Sequence, residues 1–118
     1  IYTDKALKLS SDNRLAYIIQ YIRDHLHESL SVELLSRKAC MSESNFYRVF
    51  KNELGLSPVD FINTERIKLA VSLLQDPNRK IKNIYLECGF ESRSYFNRVF
   101  KRMNKISPGA FQAKVAKG

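Results

Sequence analysis

An all-helical fold is predicted by three features of the sequence. Apolar residues recur every three or four positions in nearly every segment, the spacing of one helical face. No stretch alternates with period 2 for long enough to make a strand. The 118 residues include only 4 Gly and 3 Pro, too few for a turn-rich β architecture. At 44% hydrophobic and 27% charged, the composition is that of a globular chain rather than a disordered tail. The length suits one compact domain, or two very small ones.

The first helix is marked by Leu15, Ile18, Ile19, Ile22 and Leu26, a single apolar stripe, with Ser11 and Asp12 before it as cap candidates. A shorter second helix is predicted after Ser31, burying Leu34, Leu35 and Ala39. Ser42 caps a third, whose stripe is Phe46, Val49 and Phe50 and which Gly55 ends. Ser57-Pro58 is a restart signal, a capping hydroxyl followed by Pro at the first helical position. The fourth helix should run to about Leu74 with Ile62, Leu69, Ala70 and Leu73 inward, until Asp76-Pro77-Asn78 breaks it. Ile81–Cys88, Ser92–Met103 and Pro108 to about Val115 read as three more helices.

An internal repeat organises these elements. Residues 42–58 laid over 92–108 are identical at nine of seventeen positions, among them Ser42/Ser92, Ser44/Ser94, Phe46/Phe96, Arg48/Arg98, Phe50/Phe100 and Lys51/Lys101. Upstream the register shifts by one, placing Leu35 over Ile84 and Cys40 over Gly89, so the second copy has an extra residue in its turn. Each copy is a short helix, a tight turn and a longer helix, the helix-turn-helix pattern. Two unequal units fall short of the three or more that a solenoid needs for a continuous core.

The longer helices carry the chemistry. With Phe46, Val49 and Phe50 inward, Ser44, Tyr47, Arg48 and Lys51 face the other way, flanked by Asn45 and Asn52. The second copy presents Ser94, Asn97, Arg98 and Lys101 on the same side, with Arg93 at its start. Arg can bond guanine with two donors, Asn can bond adenine, and Lys can neutralise phosphate. Ser42 and Ser92 lie at helix N-termini, where hydroxyl and free N–H groups suit a phosphate. One such face is an ordinary solvated surface; the same face twice points to function.

Charge agrees. The chain has 20 Lys and Arg against 12 Asp and Glu, and the whole excess of +8 lies in residues 77–118, where Glu87 and Glu91 are the only acids. A basic field at one end points to an anionic partner, nucleic acid being the commonest. A linking helix of about 17 residues, roughly 26 Å, could hold two recognition helices about one DNA turn apart.

Other functions find little support. His25 and His27 are two apart, so they do not share a helical face, and neither has a partner at metal-ligand spacing. They are expected at the surface near the end of the first helix. No nucleophile elbow, P-loop or dinucleotide fingerprint occurs, so no enzyme and no cofactor are expected. Cys40 and Cys88, without a C-x-x-C, suit a reducing compartment as buried structural thiols. The phenylalanines at 46, 50, 61, 96, 100 and 111 are expected in the core. No apolar run is long enough to span a bilayer and there is no leader, and a chain that starts at Ile1 rather than Met reads as a fragment.

The run Ser42–Lys51 with Gly55-Leu56-Ser57-Pro58, then Glu65-Arg66-Ile67 with Ala70 and Leu74, then Gly89–Lys101 with Ser107-Pro108, resembles the DNA-binding domain of AraC/XylS-type transcriptional regulators. The match covers about residues 12–115. It implies a homeodomain-like, AraC-type fold of about seven helices, with two helix-turn-helix subdomains joined by a long central helix. The expected division is a 1–10 extension, a first subdomain over 11–56, a linking helix over 57–75 and a second subdomain over 76–118.

Carried over by position, Ser44, Tyr47 and Arg48, with Asn45, should face bases from the first recognition helix (about 42–53), and Arg93, Ser94, Asn97 and Arg98 from the second (about 92–103). Ser42, Lys51, Ser92 and Lys101 are the expected phosphate contacts. The resemblance implies a bacterial, cytoplasmic transcription factor, nucleoid-associated when bound. Double-stranded promoter DNA is its expected partner and RNA polymerase a second candidate, with an effector or dimerisation domain elsewhere in the full-length chain. Three features depart from the family pattern: Ser36 and Tyr85 stand where a small Ala is usual, Cys40 stands for the turn Gly, and Lys105 for the Gly before the last helix. Tyr85 is the largest change, accommodated if its ring points along the surface. The alternative is a helical module that binds an acidic protein or a polymerase subunit and touches DNA weakly.

Overall fold

The computed structural model describes residues 13–118, and among them it contains seven α-helices and no strand. They are α1 (Arg14–Asp24), α2 (Val32–Lys38), α3 (Glu43–Leu54), α4 (Pro58–Leu73), α5 (Ile84–Glu87), α6 (Arg93–Asn104) and α7 (Pro108–Ala116). The chain divides into two compact units between Ile62 and Asn63, within α4.

The cap signals carry through to bonds. The hydroxyls of Ser31, Ser42, Ser57, Ser92 and Ser107 accept from the N–H of Leu34, Asn45, Asp60, Tyr95 and Ala110 at 3.0–3.2 Å. Each satisfies a donor that the first helical turn leaves without a partner. The helix that starts at Arg14 follows Asn13, whose side chain makes no cap bond. Ser11 and Asp12 lie outside the described residues.

In the first unit the core is Leu15, Ile18, Ile19, Ile22, Leu35, Ala39, Phe46, Phe50, Leu54, Phe61 and Ile62. Leu26 packs against it only in part, because α1 ends at Asp24 and Leu26 lies in the turn beyond. Leu34 and Val49 are half-buried at the edges of their stripes. Arg14 donates to the Ala39 carbonyl at 3.0 Å, tying α1 to the C-terminus of α2. Ser36 fits its buried site by donating to the Glu33 carbonyl at 3.0 Å.

In the second unit the core is Ile67, Ala70, Leu74, Ile84, Cys88, Phe90, Phe96, Val99 and Phe100, with Phe111 packed edge-on against Phe100. The inward face of α4 differs from the sequence expectation. Ile62 and Ala70 are buried as expected, joined by Phe61, Ile67 and, just past the helix, Leu74, while Leu69 and Leu73 are only half-buried, since one end of this helix serves each core. Asp76 closes the following turn by accepting from the Asn78 N–H at 2.9 Å, and Gln112 bonds the Asp76 and Arg79 carbonyls from α7.

The segment predicted as one helix over Ile81–Cys88 is instead a 3₁₀ turn, Ile81–Asn83, followed by the single-turn α5. Neither part has a side-chain cap, and Ile84 and Cys88 are its fully buried side chains. With so little apolar anchoring, the cost of nucleating a longer helix is not recovered. The expectation that both thiols are buried holds for Cys88 and fails for Cys40, which is exposed. Cys40 has φ 57°, and the left-handed turn after α2 carries its side chain out to solvent.

Candidate nucleic-acid interface

Both recognition helices are held by the same phenylalanines and present a serine, an arginine and a lysine at matching outer positions. Phe46 and Phe50 anchor α3, and Phe96, Val99 and Phe100 anchor α6. On α3, Ser44, Tyr47, Arg48 and Lys51 are exposed and Asn45 is half-buried. On α6, Arg93, Ser94, Asn97, Arg98 and Lys101 are all exposed. The cap residues Ser42 and Ser92 are also exposed; their oxygens accept from the backbone, and each O–H remains a donor. In each helix the residues expected to meet DNA therefore share the outward face, opposite the phenylalanines.

Their local restraints differ. The Arg48 guanidinium donates to the Asn45 side-chain carbonyl one turn back. Arg98 lies 5.5 Å from the Tyr95 ring centre, and the Tyr95 hydroxyl accepts from the Asn63 amide at 2.8 Å. Arg93 folds back onto its own motif, donating to the Lys82 carbonyl at 3.1 Å with its guanidinium 5.8 Å from the Tyr85 ring. Tyr85 is thus half-buried with its ring against a surface arginine, which is how a large side chain fits where the pattern has Ala.

A cleft of about 370 Å³ opens beside α6. Ile81, Tyr85, Phe96 and Pro108 form its apolar part, and Lys82, Arg93 and Lys101 stand around it. An apolar floor with three cations is suited to a sugar–phosphate segment. Sequence reasoning passed over Lys82, Tyr95 and Asn63. Lys82 lies in the basic stretch, and the repeat places Tyr95 at the register of Asn45, three residues before the shared arginine. Asn63 had no signal, because a polar residue on a helix shows its burial only after folding.

The remaining polar groups serve the cores. Glu65 is 9% exposed and accepts from Lys68 at 3.2 Å. Arg66 lies 5.8 Å from the Phe90 ring, and burial lowers its pKa against the opposing pull of Glu91. Burial pushes the Cys88 thiol up to about 12, with Glu87 adding to the shift, so it stays protonated and unreactive near neutral pH. His25 stacks on Tyr21 at 3.9 Å and its Nδ1 sits 2.7 Å from the Tyr21 carbonyl oxygen, while His27 is exposed. Among the described residues no group of three His, Cys, Asp or Glu is placed to hold a metal. No described helix is long and apolar enough to cross a membrane.

A helix-turn-helix domain family model matches residues 35–114. The arabinose operon regulatory protein of Escherichia coli K12 is 32% identical over 111 residues, covering 93% of this chain and 38% of that protein. The probable transcriptional regulator LumQ of Photobacterium leiognathi is 33% identical over 98 residues, covering 83% and 40%. The chain thus spans about two fifths of these relatives. The crystal structure of the DNA-binding domain of AdpA, a global transcriptional factor, in complex with a target DNA matches with TM-score 0.81 and 32% identity, over 86% of this chain and 91% of that one. These likenesses are to transcriptional regulators rather than enzymes, and they do not favour the acidic-partner module. With the doubled motif and its two exposed polar faces, they show that the chain belongs to the AraC-type helix-turn-helix family of DNA-binding domains.

Proposed function

We propose that this DNA-binding domain reads a promoter with both recognition helices, α3 and α6 entering successive major grooves of one duplex. Subdomains over 11–56 and 76–118 each supply a reader, and the 57–75 segment links them. Ser44, Asn45, Tyr47 and Arg48 face bases from α3; Arg93, Ser94, Asn97 and Arg98 do so from α6. Ser42, Lys51, Ser92 and Lys101 hold phosphates, joined by Lys82. The observation that supports this most is the repeated outward face, with Arg48 and Arg98 at the same position of two helices that bury the same phenylalanines. The fields are unequal. The excess positive charge lies in residues 77–118, so the second motif supplies most of the non-specific attraction while the first refines the choice of site. In the full-length regulator the setting is the bacterial cytoplasm and nucleoid, with RNA polymerase as a second partner and no catalysis performed by the regulator itself.

The test is selection from a random duplex pool at about 0.15 M salt, where weak non-specific attraction is screened. Two unlike enriched blocks, about 10 base pairs apart, are expected from one chain reading two grooves. A single enriched block would leave one motif as a reader and the other as a dock. No enrichment would remove sequence recognition by this domain and redirect the search to a protein partner.

A further inference from the structure

We infer that Asn45 and Tyr95 are positioning residues that pre-aim the two base-reading arginines, by chemically different means in the two motifs. The inference rests on the reading that Arg48 and Arg98 contact bases. The two positioners occupy one register position of the repeat, three residues before each arginine and therefore beside it on the helix surface. In α3 the restraint is a hydrogen bond, from the Arg48 guanidinium to the Asn45 side-chain carbonyl. In α6 it is an aromatic face, with the Arg98 guanidinium 5.5 Å from the Tyr95 ring centre.

The second restraint is itself anchored. Tyr95 is 36% exposed, so part of its ring is open to the arginine and the rest lies over the core, 6.0 Å from Phe90. Its hydroxyl accepts from the amide of Asn63, which is 3% exposed. A buried amide that gives up its bond is left without a partner, so the side chain is held against swinging away about χ1. A free arginine samples many rotamers and loses that freedom on binding, whereas one already held near its working direction loses less. Both restraints are weak enough at an exposed site to yield to a guanine edge. Because Tyr95 is tied to Asn63, α6 aims its arginine more rigidly than α3, and discrimination is sharper at the base pair read by Arg98.

The experiment uses the selected duplex and its single-base variants, with this 118-residue chain and its point variants. First, Arg98→Ala and Arg48→Ala each locate a base pair by abolishing preference there. If neither changes any preference, base reading by these arginines fails and the positioning inference falls with it, a result obtained without touching Asn45 or Tyr95. Given two located base pairs, Tyr95→Leu is expected to cut discrimination at the Arg98 pair by about 3–5-fold. It should leave the other positions and the salt slope unchanged, which a merely structural role would not do. Tyr95→Phe keeps the ring, loses the bond to Asn63 and should fall in between; equality with the unsubstituted chain overturns the anchoring. Asn45→Ala, at a half-buried site, should cut discrimination at the Arg48 pair by about 2–10-fold and leave every other pair unchanged. Loss of preference at a pair that Arg48→Ala does not touch would make Asn45 a direct reader and overturn its positioning role. Uniform weakening across all duplexes, or unchanged ratios at both pairs, overturns the inference.

Discussion

Four residues at matched positions show how backbone conformation is divided between the motifs. Cys40 (φ 57°) corresponds to Gly89 (φ 95°) in the turn, and Gly55 (φ 77°) to Lys105 (φ 71°) after the recognition helix. The Gly55 and Lys105 N–H groups both donate at 2.8 Å to the carbonyl of Lys51 or Lys101, so the left-handed cap is the same in each motif. A side chain there costs about 1–2 kcal/mol relative to glycine, partly offset by the larger entropy that glycine loses on folding. Cys40→Gly and Lys105→Gly are therefore each expected to stabilise by about 0.5–1 kcal/mol in urea unfolding. Cys88 gives a pH dependence. Its thiol ionises near 9 when unfolded and near 12 when folded, so the native state favours the neutral form. That stability is intact below pH 9 and is lost as pH rises towards 12, by up to about 1.4 kcal/mol per pH unit. Between pH 8 and 10.5 the urea midpoint should fall further for the unsubstituted chain than for Cys88→Ala. Equal falls would show that Cys88 ionises as freely folded as unfolded.

At the scale of elements, serine caps set the helix starts. Ser92→Ala removes the acceptor for the Tyr95 N–H at the head of the recognition helix and should cost about 1 kcal/mol, read as a lower melting temperature. Ser92→Asp should retain the stability and lose DNA affinity, since the carboxylate caps the helix but repels phosphate. The helices that begin with such caps, α2, α3, α4, α6 and α7, were legible from Ser31, Ser42, Ser57, Ser92 and Ser107. The 81–88 segment was not. Its apolar spacing fits a helix, but spacing does not say how much of the stripe finds a partner, and Leu86 is left 56% exposed. The same gap explains Leu69 and Leu73, which share a stripe with Ala70 and end half-buried.

For the whole molecule the governing quantity is where the charge lies. The positive excess is confined to residues 77–118, and Lys82, Arg93 and Lys101 gather around one cleft beside α6. Lys82→Ala and Lys101→Ala should each weaken binding to all duplexes alike and lower the slope of log affinity against log salt by about one. Arg98→Ala should instead cost about 1–3 kcal/mol on the selected site and relax preference at one base pair. Titrations at several salt concentrations separate the two kinds of residue. An Arg98→Ala effect equal on all duplexes would place that side chain on phosphate.

The sequence by itself determined the capped helices, the repeat and the outward faces, because helical periodicity and capping are local and each can be read from a few neighbouring residues. Tertiary structure decided the bonds made between elements. The Asn63–Tyr95 bond joins residues 32 apart and the Arg93–Lys82 bond residues 11 apart, and no local pattern announces either. It also decided that Cys40 faces solvent while Cys88 is enclosed, though both are lone thiols near the end of a short helix. Burial depends on what packs from the rest of the chain, and on α6 that packing brings the buried Asn63 amide to the Tyr95 hydroxyl, which nothing near Tyr95 in the sequence foretells.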